Sequence, residues 1–130
     1  MIKSVVHALG IHPPTAPYSL AIETRGNRTL YISGQGPVDG HGNIVGKHDI
    51  HKQTVQVFEN IKTLVEAAGG SLDEVVKLGI FVTDIGYRET ITKVRHHYLH
   101  DPFPTATMVE IVKLASPDWL VEIEAVAVLD

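Results

Sequence analysis

The sequence predicts an α+β fold, a mixed β-sheet with two helices packed on one face. Three observations predict it. Residues 103–114 and 119–129 alternate and are rich in β-branched side chains, the mark of strands. Residues 49–69 repeat their apolar side chains at helical spacing, and residues 87–99 do so again. The order is β-hairpin, helix, strand, helix, strand, strand, which places helices as one layer over a mixed sheet. At 130 residues and 44% hydrophobic, the chain is expected to form a single domain over residues 1–130.

The elements follow in order. Gly10, Pro13, Pro14 and Pro17 make residues 10–17 an irregular lead-in, because proline has no ladder donor. Residues 18–24 alternate, with Tyr18, Leu20 and Ile22 on one side. Arg25-Gly26-Asn27 supplies turn chemistry, and residues 29–33 return as the second arm of a hairpin. Residues 34–46 hold five glycines and form a loop, with a short edge strand at Ile44–Val45. Their spacing matches neither a dinucleotide fingerprint nor a P-loop.

The clearest helix spans 49–69. Ile50, Val57, Phe58, Ile61, Leu64, Val65 and Ala68 make its apolar stripe, Asp49 its N-cap, and Gly69-Gly70 its end. Ser71 and Glu74 match a capping box, which predicts a short helical turn. Residues 75–83 read as a strand. Asp84 then caps a second helix over 87–99, striped by Tyr87, Ile91, Val94 and Tyr98 and broken at Asp101-Pro102-Phe103-Pro104.

The last strand carries the functional argument. Val121, Ile123, Ala125, Ala127 and Leu129 share one wholly apolar face. The other face carries Leu120, Glu122, Glu124, Val126 and Val128, more apolar than a solvated sheet face usually is. A second subunit or a ligand is expected to cover it. A carboxylate in such a pocket can shuttle a proton or orient a water. A solvated strand face would carry the same pair of glutamates.

The net charge of −4 leaves no electrostatic footprint for nucleic acid or an anionic membrane. No apolar run reaches transmembrane length, and residues 1–7 lack the apolar core of a secretory signal. With no cysteine, thiolate nucleophiles and Cys-ligated zinc are excluded. A cytoplasmic setting is expected. His96 and His100, and His48 and His51, have spacings that would allow a shared metal, yet no zincin-type glutamate accompanies them. No metal is expected. No Gly-X-Ser-X-Gly elbow is present, which argues against a serine hydrolase.

Several segments, in order, carry a resemblance. They are Pro17-Tyr18-Ser19, Tyr31-Ile32-Ser33-Gly34-Gln35, Val57-Phe58-Glu59-Asn60-Ile61, Phe81-Val82-Thr83-Asp84, Phe103-Pro104, Val109-Glu110 and Glu122-Ile123-Glu124-Ala125. Through them nearly the whole chain resembles the RidA/YjgF family. The resemblance implies a chorismate-mutase-like fold of the bacillus type. It also implies a homotrimer whose sheets close a central barrel, with a ligand cleft at each subunit interface. Namesake members hydrolyse reactive enamines and imines, such as 2-aminoacrylate, to a keto acid and ammonia without a cofactor.

By position, the resemblance implies that Tyr18 contacts a small-molecule ligand, that Ser33 and Gly34 line the cleft, and that Glu122 orients or activates water. Glu124 would support it. Where namesake members read Phe-Pro-Ala-Arg-Ser-Cys, this chain reads Phe-Pro-Thr-Ala-Thr-Met. Thr107 and Met108 thus take ligand-lining positions, and the arginine that clamps a substrate carboxylate falls on Ala106. Thr105 and Thr107 would suit a neutral polar ligand; Arg95, Lys113 or a neighbouring subunit's histidine could supply charge instead. The implied activity is cofactor-independent deamination of an enamine, imine or related metabolite. The alternative is a non-catalytic small-molecule-binding or protein-interaction role on the same scaffold.

Overall fold

The computed structural model describes residues 2–130. Along the chain it holds β1 (Ile2–Val5), β2 (Ile22–Arg25), β3 (Arg28–Gln35), α1 (Ile50–Ala67), β4 (Val75–Val82), α2 (Arg88–Tyr98), β5 (Thr105–Glu110) and β6 (Val121–Leu129). Strands β3, β6, β4 and β5 form one mixed sheet in that order. β6 runs antiparallel to both β3 and β4, whereas β4 and β5 are parallel and joined through α2.

Alternation in β6 decides where the core lies. Val121, Ile123, Ala125, Ala127 and Leu129 are at most 3% exposed. They pack in one cluster with Val57, Phe58, Ile61 and Val65 of α1, Ile91 and Val94 of α2, and Leu78, Ile80 and Val82 of β4. Each valine, leucine, isoleucine or phenylalanine among them, fully buried, contributes about 1.5–3 kcal/mol relative to exposure. The sheet therefore has one sealed face, under the helices.

Local chemistry sets the helix ends. The Asp49 carboxylate accepts from the Lys52 amide at 3.0 Å. At the other end Gly69 takes φ +91°, and the amides of Gly69 and Gly70 return to the carbonyls of Glu66 and Val65. Glycine is the residue that adopts this conformation without steric cost. Ser71 accepts from the Asp73 amide and donates to Glu74, closing a 3-10 turn over Leu72–Glu74. Asp84 accepts from the Gly86 amide at 2.8 Å, and its 3-10 turn, Ile85–Tyr87, leads into α2.

Four expectations are corrected. The hairpin does not form: β2 pairs with β1, from Ile2 opposite Arg25 to Val5 opposite Ile22, while β3 pairs with β6. β6, nine residues long, offers the eight-residue β3 a long apolar complement, and Asn27 donates to the Leu129 carbonyl at the entry. β2, with Glu23 and Arg25 among its four residues, offers little. Strand pairing here follows apolar complementarity over chain proximity. The first closing strand stops at Glu110, because its partner β4 ends at Val82, opposite it. Ile44–Val45 is reduced to a single bridge between Val38 and Ile44. On α1, Leu64 is 41% exposed, while Gln53 and Thr54 are buried.

Gln53 explains its own burial. Its amide nitrogen donates to the carbonyls of Gly46 at 3.1 Å and Asp118 at 2.9 Å, and its oxygen accepts from the Leu120 amide at 2.8 Å. A fully bonded amide is tolerated in a core, and this one ties α1 to the entry of β6.

Candidate functional site

The face of the sheet away from the helices carries the acidic groups. Register places Tyr31, Val126 and Lys77 in one row, and Glu124, Gly79 and Thr107 in the next. Glu122, Phe81 and Val109 make a third row. Glu124 is exposed, Glu122 half-buried, and Tyr31 79% exposed. A cavity of about 410 Å³ lies on this face, lined by Tyr31, Ser33, Lys77, Gly79, Glu124 and Val126, among others.

Each glutamate lies over a glycine on a neighbouring strand. A Cβ on Gly34 would stand 2.0 Å from Oε2 of Glu122, and one on Gly79 would stand 2.8 Å from Oε1 of Glu124. Gly34 falls where the β3–β6 register shifts, between Ile32 and Gln35. That irregularity, together with the missing side chain, lets Glu122 lie against the β3 backbone. The loop beyond is pinned to α1: Asn60 donates to the carbonyls of Gly36 at 3.2 Å and Val38 at 2.9 Å, and Gln56 donates to Asn60 at 2.8 Å. The Trp119 ring fills the space a Cβ on Gly36 would need.

A second group of side chains gathers on the helix side of β5. Tyr18, Ala106 and Met108 line a cavity of about 290 Å³ with Arg88, Thr92 and Arg95 of α2. Ser19 fixes Tyr18 there: its amide donates to the Pro104 carbonyl at 3.0 Å, its hydroxyl donates to the Phe103 carbonyl, and it bridges to Thr105. Arg95 is 5% exposed, and its Nε has no hydrogen-bond partner. Burial first, and then the neighbouring Arg88 guanidinium, hold its pKa below the usual guanidinium value, while Tyr18 pulls the other way.

The residues singled out in the sequence thus fall into two groups. Glu122 touches Gly34, with Ser33 and Thr107 on the same open face. Tyr18 and Met108 meet at the other cavity. One chain alone does not bring the groups together. Of the histidines, the His96 ring lies 5.9 Å from that of Phe103, and His100 Nδ1 lies 3.4 Å from the Asp73 carboxylate. Among the described residues, no group of three or more metal-ligating side chains gathers, and no helix is long and apolar enough to cross a membrane.

Sequence reasoning named Arg95 without placing it. A signal existed. Ile91, Val94, Arg95 and Tyr98 stand at i, i+3, i+4 and i+7, so Arg95 falls within the stripe that must face the core.

Residues 10–129 match the family model described as Endoribonuclease L-PSP. The chain is 39% identical over 126 residues to a RutC family protein of Pyrococcus horikoshii, covering 97% of this chain and 98% of that one. It is 36% identical over 127 residues to the 3-aminoacrylate deaminase RutC of Acinetobacter baylyi, covering 98% of each. Among solved structures, the Rid family protein YyfB of Yersinia pestis superposes with a TM-score of 0.91 at 30% identity, over 99% of this chain and 100% of that one.

Proposed function

The chain belongs to the endoribonuclease L-PSP family, whose structures include the Rid proteins, and from that premise we propose that it deaminates a reactive enamine or imine by hydrolysis, without a cofactor. The observation that carries this reading is the placement of Glu122. Its carboxylate lies against Gly34 on a sheet face that also bears Tyr31 and Val126. In this reading that face is covered by other copies of the chain: three copies join such faces into a chorismate-mutase-like barrel in the cytoplasm, and the cleft between copies unites Tyr18 and Met108 with Glu122, Ser33, Gly34 and Thr107.

The chemistry needs little machinery. An enamine tautomerises to its imine, water adds to the imine carbon, and the carbinolamine collapses to a carbonyl compound and ammonia. Glu122 accepts a proton as water attacks and returns it to the departing nitrogen, so one carboxylate serves both steps. Glu124 supports the row beside it. The name of one relative, 3-aminoacrylate deaminase, describes an enamine substrate and is consistent with this chemistry. The family model's name does not bring an RNA substrate with it, since a net charge of −4 is the wrong sign for a phosphate backbone.

Ammonia release from freshly generated aminoacrylates, and from an uncharged imine, tests the proposal. Glu122→Gln is expected to slow release about 10²-fold or more at unchanged fold. Wild-type protein inactive on the whole panel would sink the hydrolase. A binding role without chemistry is the second reading, and it is favoured by one observation: position 106 is alanine, where the family resemblance implies a clamping arginine.

A further inference from the structure

The ladder between β3 and β6 stops just short of Glu122. Its last pair sets Gln35 opposite Ile123, after the register shift that follows Ile32. One step further Gly36 comes level with Glu122, and among the described residues no further pair of that ladder follows. β4 still pairs with β6 there, with Phe81 opposite Glu122. On the β3 side, something other than the ladder must hold the segment that carries Gly34 against the carboxylate.

Two amides on α1 do so. Gln53 and Asn60 are seven residues apart, about two turns along one face of the helix. Asn60 Nδ2 donates to the carbonyls of Gly36 at 3.2 Å and Val38 at 2.9 Å, and its Oδ1 accepts from Gln56 at 2.8 Å. Both amide hydrogens are thereby used, and Gln56 fixes which way the amide faces. Gln53 holds the other strand, bonding Asp118 and Leu120 on either side of Trp119. The Trp119 ring lies over Gly36 and closes the gap between the two held segments. One helix thus grips Gly36 and Leu120, each two residues from a member of the Gly34–Glu122 contact. An amide gives these places a direction that an apolar side chain would not.

We propose that Asn60, oriented by Gln56 and matched by Gln53, is a positioning residue that fixes the segment from Gly34 to Val38 and so keeps the Glu122 carboxylate where a water is to be aimed. Its effect on rate rests on the hydrolase reading above, whereas its hold on the carboxylate does not.

Asn60→Asp keeps the side-chain shape and replaces both donors with an acceptor facing carbonyl oxygens. The amide resonance of Gly34, read by NMR, reports the carboxylate beside it. Glu122→Gln should move that resonance clearly in the otherwise wild-type chain, and far less where Asn60→Asp is already present, because coupled contacts are not additive. An equal movement in both backgrounds overturns the proposal. On ammonia release, Asn60→Asp should lower kcat by about 10-fold to 100-fold with KM unchanged. The double variant should be no slower than Glu122→Gln alone, since Asn60 acts through Glu122. Losses that multiply would make Asn60 a stabilising residue only, and overturn the proposal. Thr63→Ala removes a different α1 hydrogen bond, to the Glu59 carbonyl at 2.9 Å on the exposed side, and should leave both readouts alone. A matching effect there would show general damage to the helix and equally overturn it. Should Asn60→Asp fail to fold, Gln56→Met frees the Asn60 amide to turn and should weaken the same coupling at Gly34; an unweakened coupling overturns the proposal. A wild-type chain that releases no ammonia sinks the hydrolase reading, and Asn60 is then judged by the Gly34 resonance.

Discussion

The two sides of β6 obey different rules. Toward the helices, five alternate residues are sealed at 3% exposure or less, and nothing polar interrupts them. Away from the helices, Glu122 and Glu124 alternate with them one residue away, on a face where Tyr31 is 79% exposed. One strand, by its period of two, serves stability on one side and, in the proposed reading, chemistry on the other. Changes on the first side should therefore read out as folding, and changes on the second as assembly or turnover.

The largest effect expected is also the plainest break in that comparison. Ile123→Ala removes a fully buried side chain and should cost about 2–5 kcal/mol in urea unfolding. Tyr31→Ser, on the open side, should stay within about 0.5 kcal/mol for the isolated chain. Its effect should appear in sedimentation, as weaker association on dilution. Equal losses of folding stability in the two variants would show that both sides are core.

A smaller effect sharpens the comparison within the open side. Gly34→Ala puts a methyl where Oε2 of Glu122 lies, so the carboxylate must move. A displacement near 1 Å typically costs about 10²-fold in rate, so turnover should fall by that order. Gly40→Ala, with nothing within 4 Å, should leave it unchanged. If both substitutions are silent, Glu122 is not the group that guides water.

The smallest effect lies between the helices. Tyr98 stacks on Phe58 at 5.3 Å, and burial, helped by a hydrogen bond with Glu59, pushes its phenol up to about 12 from the ordinary 10.0. The folded state thus favours the neutral phenol. This stabilisation is intact below pH 10 and lost as pH rises from there toward 12. Tyr98→Phe should flatten the alkaline decline in Tm over that window. An unchanged slope would mean the phenol titrates alike in the folded and unfolded chains.

How much of this was legible follows from where the information lay. The alternation in Val121–Leu129 and the stripe through Val57, Phe58, Ile61 and Val65 are local and dense, and both elements stand where they were read. The pairing of β3 was not local: its partner lies some ninety residues away, so the nearby strand was preferred in error. β1 was missed because Ile2–Val5 is too short to show a period. For the site, the strand pattern offered Glu122 and Glu124 alike, and only the family resemblance singled out Glu122. Its contact with Gly34 could not be read, since it depends on a register shift that only the folded sheet displays. Arg95 was named as a source of charge, but that its Nε stands without a partner shows only in the folded chain.

The position of β6 has a consequence for how the chain is made. It lies between β3 and β4, yet it follows both in sequence. Until it is synthesised, both strands face each other across an empty slot with their ladder groups unpaired. A chain halted at residue 120 would hold most of its apolar residues and none of the strand that joins them, a state prone to aggregate. Contacts of such long range also slow folding. Formation of the sheet should therefore be all-or-none, with chaperone dependence concentrated in the interval before β6 emerges.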